Sequence, residues 1–169
     1  MACAMVFAQS PINFDGILSE GEWENAQRFS INYEIQPGNN SPSPNKTEVY
    51  VLYSPTDIFV GFDAKANMAT LHSAIRNRDE AFRDDIVMFG VDTFGDGRYG
   101  ISVGANAEGS QVDTKFSATD DDDSYDVNFE SKASKGTDGY QVELIIPFSA
   151  YQFNMAEEMK LNSVSFNIY

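Results

Sequence analysis

Two short runs of the sequence carry acidic side chains of the kind that hard cations bind. In the glycine-bearing turn at residues 92–98, Asp92 and Asp96 alternate with uncharged residues. A second run consists of Asp120, Asp121, Asp122 and Asp123. Calcium takes carboxylate oxygens as ligands, so both runs are candidate calcium sites. The alternatives are a hairpin turn whose acids face water or pair with Arg98, and an acidic loop that is simply solvated.

The loop that contains Arg76 and Arg78 concentrates positive charge in a chain with only 11 basic residues. A guanidinium group donates in a fixed fork to a carboxylate or to sugar hydroxyls. Two interpretations are open: an internal arginine–aspartate lattice that fastens the loop, or contact with a ligand. The candidate sugar-binding residues are an aromatic platform and the polar groups around it, namely Tyr125, Arg76, Arg78, Asp79 and Arg98.

The sequence contains no recognisable arrangement of catalytic residues. His72 is the only histidine, and no motif places a nucleophile beside it. There is no glycine-rich phosphate loop. Among 26 acidic residues, a pair at the separation that glycosidases use occurs somewhere by chance, so it carries no weight. We therefore predict that the chain is not an enzyme.

The only tryptophan, Trp23, lies in a predicted helical turn near residues 19–26. Ser19 and Glu22 have the spacing of a capping box. A single helical turn does not stay folded without further contacts. Burying a tryptophan contributes about 2–3 kcal/mol of apolar transfer free energy. We therefore predict that Trp23 is a structural peg rather than a platform for a sugar.

The formal net charge of −15 limits the classes of partner. An acidic surface repels phosphate backbones and anionic lipid headgroups, so we expect no binding to nucleic acid. Neutral sugars and divalent cations remain compatible with this charge. One histidine and one cysteine make a structural zinc site a poor candidate.

Most of the chain alternates apolar and polar residues with period two, which is typical of strands. Turn residues separate the runs. The runs cover residues 48–53, 57–63, 86–91, 98–104, 111–116, 126–133, 140–146 and 163–169. Eight or nine short strands with little helix predict an all-β fold, a two-layer antiparallel β-sandwich of jelly-roll-like type. Residues 39–45, rich in proline, serine and asparagine, are predicted to form a loop.

The first nine residues differ from the rest of the chain. They are mostly apolar or small, and Val6 and Ala8 stand where a signal peptidase requires small residues. We interpret residues 1–9 as the remnant of a secretory signal and residues 10–169 as one domain. An ordinary first strand is the alternative. The lone Cys3 allows no internal disulfide, and no apolar stretch of about 18 residues predicts a membrane-spanning helix.

Several motifs, in their order along the chain, resemble the family-nine carbohydrate-binding modules. The opening motif is Asp15-Gly16-x-Leu18-x-Glu20-x-x-Trp23-x-x-Ala26. The others are Thr47-Glu48-Val49, Arg78-Asp79, Asp85 before a strand, Asp92-Thr93-Phe94 with Asp96 and Arg98, Gly109 followed by Asp113, and Gly139-Tyr140 leading to Ile146-Pro147-Phe148. The resemblance covers residues 12–169. It is greatest to the version found at the N-terminus of bacterial envelope proteins that continue into a predicted outer-membrane barrel.

The resemblance implies a β-sandwich, bound calcium, and binding of plant or algal polysaccharide or its oligosaccharide ends. It also implies a location outside the cytoplasm, either secreted or in the periplasm or outer membrane of a Gram-negative bacterium. Two departures stand out. Well-studied binders hold a sugar between tryptophans, whereas this chain has only Trp23. Where the barrel-linked relatives often carry tryptophan, this chain has Tyr125 and Phe129, and Phe129 falls on the apolar side of its strand.

Two functional hypotheses follow. The first is a non-catalytic polysaccharide-binding module. The second is a structural or plug-like domain that docks on a following outer-membrane barrel of the same parent chain and binds no sugar. An exposed pair of aromatic side chains beside a groove would favour the first hypothesis. A Tyr125 that stands alone among polar residues would favour the second.

Overall fold

A computed structural model describes residues 12–19, 21–35, 40–92, 98–117, 121–151 and 164–168, the last range as backbone only. The predicted all-β sandwich is confirmed, because ten antiparallel strands form two five-stranded sheets. The first sheet has the order β1-β2-β3-β9-β8 and the second has the order β10-β4-β5-β6-β7. The predicted signal remnant at residues 1–9 lies outside the described residues.

The strands follow the predicted period-two runs closely, with additional strands at β1 and β7. Their bounds are β1 Gln27–Glu34, β2 Ser41–Tyr53, β3 Asp57–Lys65, β4 Ile86–Val91, β5 Tyr99–Asn106, β6 Gln111–Ser117, β7 Asp121–Asp122, β8 Glu130–Lys135, β9 Gly139–Pro147 and β10 Val164–Ile168.

The core lies between the inner faces of the two sheets. From the first sheet it receives Val49, Val60 and Phe62, and from the second Phe89 and Val103, all almost fully buried. Val127 and Phe129 also belong to this core, so the prediction that Phe129 is a core residue is confirmed. A second, smaller cluster on the outer face of the second sheet contains Ala81, Phe82, Ile86, Met88 and Val112.

Two segments differ from the sequence prediction. Residues 41–45 were expected to lie in a loop, yet β2 begins at Ser41. Proline is tolerated here because β2 pairs only with β1 before Thr47, so its other edge needs no amide donors. The run 126–133 was expected to be a strand throughout, but β8 begins only at Glu130. In the irregular part, 125–129, the carbonyl of Val127 accepts from Arg78 and the carbonyl of Phe129 accepts from Gln111 Nε2 at 2.9 Å.

The segment around Trp23 covers the outer face of the first sheet. It forms consecutive turns rather than the predicted helical turn: Ser19 O accepts from Glu22 N and Trp23 O from Ala26 N. Gly61 makes room for this segment, because a Cβ there would collide with the side chain of Leu18 and lie 3.2 Å from the Trp23 ring. Trp23 is 2% exposed, so its predicted role as a structural peg is confirmed.

A buried carboxylate holds the N-terminal segment in place. Glu143 of β9 is 1% exposed and accepts hydrogen bonds from Asp15 N at 2.9 Å, Gly16 N at 2.8 Å and Trp23 Nε1 at 3.3 Å. Gly16 has φ +88°, and a Cβ there would lie 2.9 Å from the backbone of Ala133, so this position requires glycine. Burial raises the pKa of Glu143, an effect that these three donors oppose.

Helix is limited in the described residues to two 3-10 segments, Glu80–Arg83 and Phe148–Ala150. Neither is long or apolar enough to cross a bilayer. The first segment presents Ala81 and Phe82 to Ile86 and Met88, which explains why β4 is buried on both faces. This segment also begins directly after Asp79, at the loop that carries the predicted site residues.

Candidate functional site

Arg76 belongs to a buried lattice of polar groups rather than to an open site. Its Nε donates to Asp84 Oδ1 at 2.9 Å, and its Nη2 donates to the same oxygen at 2.8 Å. The Asp84 side chain is fully buried and also accepts from Ala74 N at 3.1 Å and Asn106 Nδ2 at 2.8 Å. Burial alone would raise the pKa of Asp84, but these donors outweigh it and lower the pKa to about 2.

The same lattice fastens the loop at 72–79 to the end of β5. Asn106, fully buried, donates to Ala74 O at 2.7 Å and accepts from Ser110 N at 2.9 Å. Arg76 N donates to Ser110 Oγ at 2.9 Å. Of the two interpretations of the arginine loop, the internal lattice therefore describes Arg76.

Arg78 joins three segments of the chain. Its guanidinium pairs with the buried Asp113 of β6, with Nη2 2.6 Å from Oδ1, and donates to Gln111 Oε1 at 3.1 Å. It also donates to Val127 O and lies 3.4 Å from Asp126 Oδ1. The loop at 76–79 thus meets the segment that follows the acidic run, which the sequence alone could not establish.

Three carboxylates converge beside Arg78. Asp79, Asp113 and Asp126 each offer an oxygen, and these oxygens lie within 4.8 Å of one another. Asp79 Oδ1 accepts from Asp113 N at 3.2 Å, and Asp113 Oδ2 accepts from Val127 N at 2.5 Å. Burial raises the pKa of Asp113 and the negative charge of Asp79 raises it further, whereas the hydrogen bond from Val127 N and the Arg78 guanidinium oppose this rise. Three carboxylates and one guanidinium leave two formal negative charges, which a divalent cation would neutralise.

The described carboxylates that were predicted as metal ligands do not belong to this triad. Asp96 and Asp120 fall outside the described residues. Asp92 is buried, whereas Asp121, Asp122 and Asp123 are exposed. Asp121 and Asp122 form the short edge strand β7, and Asp122 Oδ1 accepts from Ser124 Oγ at 2.6 Å. Within the described part of the chain, converging acidic side chains occur instead at the triad Asp79, Asp113 and Asp126.

Tyr125 does not stand alone. The Nζ atom of Lys115 lies 5.8 Å from the centroid of the Tyr125 ring and 5.9 Å from that of the Tyr99 ring. Tyr99 is 52% exposed, whereas Tyr125 packs partly against the core. Tyr99 and Lys115 share one face of the second sheet, because Lys115 pairs with Ile101, two residues from Tyr99. Two aromatic rings therefore flank one exposed ammonium group.

The predicted sugar-binding residues divide between two places. Tyr99 begins β5 and Asn106 ends it, so the two ends of this strand are separated by roughly 23 Å at about 3.3 Å per residue. Arg76 lies at the Asn106 end, whereas the exposed Arg98 immediately precedes Tyr99. Tyr125 lies beside Tyr99 and Lys115, and the adjacent Asp126 reaches Arg78 and Asp79. The structure thus brings Arg78 and Asp79 toward Tyr125 and leaves Arg76 apart.

Two residues of this site were not predicted from the sequence. Tyr99 was assigned to the apolar side of its strand with Ile101 and Val103, and its position next to a turn was the available signal for exposure. Lys115 gave no signal of its own, since a lysine near the end of a strand is common. Its contact with both rings depends on the pairing of β5 with β6 and on the path of residues 123–126.

No protein-family model matches the chain. No curated protein matches its sequence either. Among solved structures, the fold is similar to that of a family-nine carbohydrate-binding module from Caldicellulosiruptor kristjanssonii in complex with cellotriose. The sequences are 15% identical, 95% of this chain and 71% of that chain are covered, and the TM-score is 0.57. The same module in complex with glucose gives 15% identity, 95% and 73% coverage and a TM-score of 0.56.

A protein from Bacteroides uniformis, provisionally assigned as carbohydrate-binding, is also similar in fold. It is 12% identical, with 75% of this chain and 62% of that chain covered and a TM-score of 0.56. This chain therefore spans less than two thirds of the Bacteroides protein. At these identities the likeness establishes the fold. The predicted outer-membrane barrel is not addressed by these comparisons and stays a prediction.

Proposed function

We propose that this chain is a non-catalytic carbohydrate-binding module of a secreted or cell-envelope protein. The observation that carries the proposal is that two tyrosine rings, Tyr99 and Tyr125, each have their centroid within 5.9 Å of the Lys115 ammonium group. A pyranose ring has an apolar face and a rim of hydroxyls, so it needs an aromatic surface and fixed polar groups beside it. The similarity in fold to modules solved with cellotriose and glucose agrees with this chemistry.

The polar groups next to Tyr125 supply the rest of the site. The exposed Lys115 ammonium group lies over the Tyr125 ring and has three N–H donors that a sugar hydroxyl beside the ring can accept from. Asp126 has an exposed side chain and is held near Tyr125 by its ion pair with Arg78. The structural-domain alternative predicted a Tyr125 that stands alone among polar residues. Tyr125 instead packs partly against the core and shares Lys115 with the exposed Tyr99, and this second aromatic side chain supports the sugar-binding module.

Titration calorimetry with β-glucan and xylan oligosaccharides tests this function. With two small tyrosine platforms we expect weak binding, with a Kd on the order of 0.1–1 mM, or about 4–5.5 kcal/mol. Tyr99→Ala and Tyr125→Ala should each weaken binding by about tenfold, because each removes one ring face. Tyr53→Ala is the matched control, since Tyr53 is an exposed tyrosine on the first sheet.

Two results would change the proposal. If no heat is observed at millimolar sugar with calcium present, the structural-domain hypothesis replaces it. If binding survives both tyrosine substitutions unchanged, the module function stands but the site lies elsewhere.

The proposed function includes stabilisation by calcium at the triad Asp79, Asp113 and Asp126. The triad fits calcium in donor type and charge, although Arg78 shares two of its carboxylates. Calcium that binds only the folded chain raises its stability by mass action, by about 1.4 kcal/mol at a concentration ten times the Kd. We therefore expect a higher Tm in millimolar calcium than in chelator.

Two substitutions locate the calcium effect. Asp126→Asn should reduce the gain in Tm. The Asp126 side chain is exposed, so we expect this variant to fold normally. Asp123→Asn in the acidic run is the matched control and should leave the gain intact. Equal melting curves in calcium and in chelator would remove calcium from the proposal. If only Asp123→Asn reduces the gain in Tm, the calcium site lies in the acidic run and not at the triad.

A further inference from the structure

A second cleft lies on the outer face of the first sheet, away from the tyrosine pair. It has a volume of about 640 Å³, which is within the range of small-molecule sites. Its wall is formed by the turns at residues 18, 19 and 21–24 and its floor by β1, β2, β3 and β9. Trp23, which is 2% exposed, supports the wall of the cleft, and the side chains available for binding are Glu24, Arg28, Tyr50, Asp63 and Gln141.

Strand register explains why these side chains gather. Arg28 pairs with Tyr50, and Tyr50 pairs with Gly61 across β1, β2 and β3. In the next row on the same face, Asp63 pairs with Gln141 of β9. Gly61 has no side chain, so Trp23 and Leu18 pack directly against its backbone. The cleft lies between these two residues and Tyr50.

The aromatic part of the cleft is rigid. The Trp23 and Tyr50 rings meet edge to face, with centroids 6.2 Å apart and an interplanar angle of 62°. The guanidinium carbon of Arg28 lies 5.3 Å from the Tyr50 centroid. A ring held between a buried indole and a guanidinium group loses little freedom when a ligand binds, which favours binding.

The polar part of the cleft contains both donors and acceptors. Gln141 accepts from Leu18 N at 3.0 Å through Oε1, which directs its amide NH₂ group to donate elsewhere. Asp63 and Glu24 accept, and Arg28 donates. Two carboxylates and one guanidinium group suit a neutral ligand rich in hydroxyls better than an anion, and the net charge of −15 also repels anions.

We propose that this cleft is a second binding site for a neutral saccharide unit, independent of the site at Tyr99 and Tyr125. The inference rests on the proposed function and extends it. The two sites lie on different sheets, so a single sugar unit cannot occupy both. Two weak sites on one domain hold a long or branched polysaccharide more tightly than either site alone, because the second contact becomes intramolecular.

The chain offers a readout specific to this cleft. Trp23 is the only tryptophan and lines the cleft, whereas the other site contains tyrosines. Selective excitation of the indole in the full chain, titrated with cellotriose and with xylotriose, should give a saturable change in emission. Calorimetry on the same samples records binding at both sites.

Paired substitutions separate a local effect from a general one. Asp63→Asn should weaken the affinity seen by indole emission about tenfold, whereas Asp138→Asn should not, although both acids pair with Lys65. Arg28→Ala should weaken it similarly, and the exposed Arg83→Ala is its control. Tyr125→Ala should leave the indole titration unchanged while it removes part of the heat.

The outcomes distinguish this inference from the proposed function. Heat of binding with silent indole emission overturns the second site and leaves the module function intact. An indole change that Tyr125→Ala abolishes also overturns it, because the signal then originates at the other site. No heat and no emission change with either sugar overturns both proposals.

Discussion

Replacing Trp23 with alanine is expected to lower the free energy of unfolding by about 3–5 kcal/mol, as truncation of large buried aromatic side chains does. Trp23 is 2% exposed and packs on Gly61, a position that cannot carry a side chain of its own. Gly61 therefore offers no side-chain atoms to fill the space that the substitution leaves. The substitution also removes one of three donors to the buried Glu143. Chemical denaturation monitored by circular dichroism measures the loss.

Two further variants separate packing from hydrogen bonding at this position. Trp23→Phe keeps most of the ring contact but removes the indole N–H, so we expect a smaller loss of about 1–2 kcal/mol. Tyr53→Ala removes a half-exposed aromatic side chain from the same sheet and should change stability little. A Trp23→Ala protein as stable as the parent would mean that the segment 12–26 does not pack as described.

The second large effect is expected at Asp84. Its carboxylate is fully buried and accepts from Arg76, from Asn106 and from Ala74 N. Asp84→Ala leaves all three donors without their acceptor, and removing one partner of a buried ion pair costs about 3–5 kcal/mol. We expect a loss near 3 kcal/mol, because the Arg76 side chain keeps some access to water. Asp123→Ala, which removes an exposed acid, is the control and should have little effect.

Asp84 also predicts how stability depends on pH. Its pKa in the folded chain is about 2, below its ordinary value of 3.8. Between these values the unfolded chain binds more protons than the folded chain, so stability rises with pH across this window. The contribution of Asp84 is complete above the ordinary value and is lost as the pH falls through about 2. Denaturation curves of Asp84→Ala should lack this rise, and an unchanged slope would contradict the assignment.

The fold was largely predictable from the sequence because alternation encodes which face of a strand is buried. Val49 and Val51 lie in the core and Tyr50 on the outer face, as a period of two requires. The start of β2 was missed because Pro42 argues against a strand in general. It is compatible with one here only because β3 does not reach that part of β2, which is a property of the assembled sheet rather than of the local sequence.

The polar clusters were less predictable, because their partners are distant in the sequence. Arg78 was recognised as unusual, but its pairing with Asp113 spans 35 residues. The burial of Glu143 could not be predicted, because a single glutamate in an apolar strand can also lie at a strand edge that faces water. What makes it structural is its contact with Asp15 and Gly16, 128 and 127 residues away. Such contacts are decided by how strands from remote parts of the chain come to lie side by side.

The attachment of residues 15–23 to β9 has a consequence for the order in which the domain forms during synthesis. A chain emerges from the ribosome N-terminus first, at roughly 5–20 residues per second. Hairpins of the second sheet, such as β4–β5 and β5–β6, pair neighbours in sequence and form early. In the first sheet β1, β2 and β3 also pair with neighbours in sequence, but the other edge of β3 pairs with β9, which is made much later. The hydrogen bonds from Asp15, Gly16 and Trp23 to Glu143 therefore form only after residue 143 has emerged, and the first sheet is complete only when nearly all of the strands have been made.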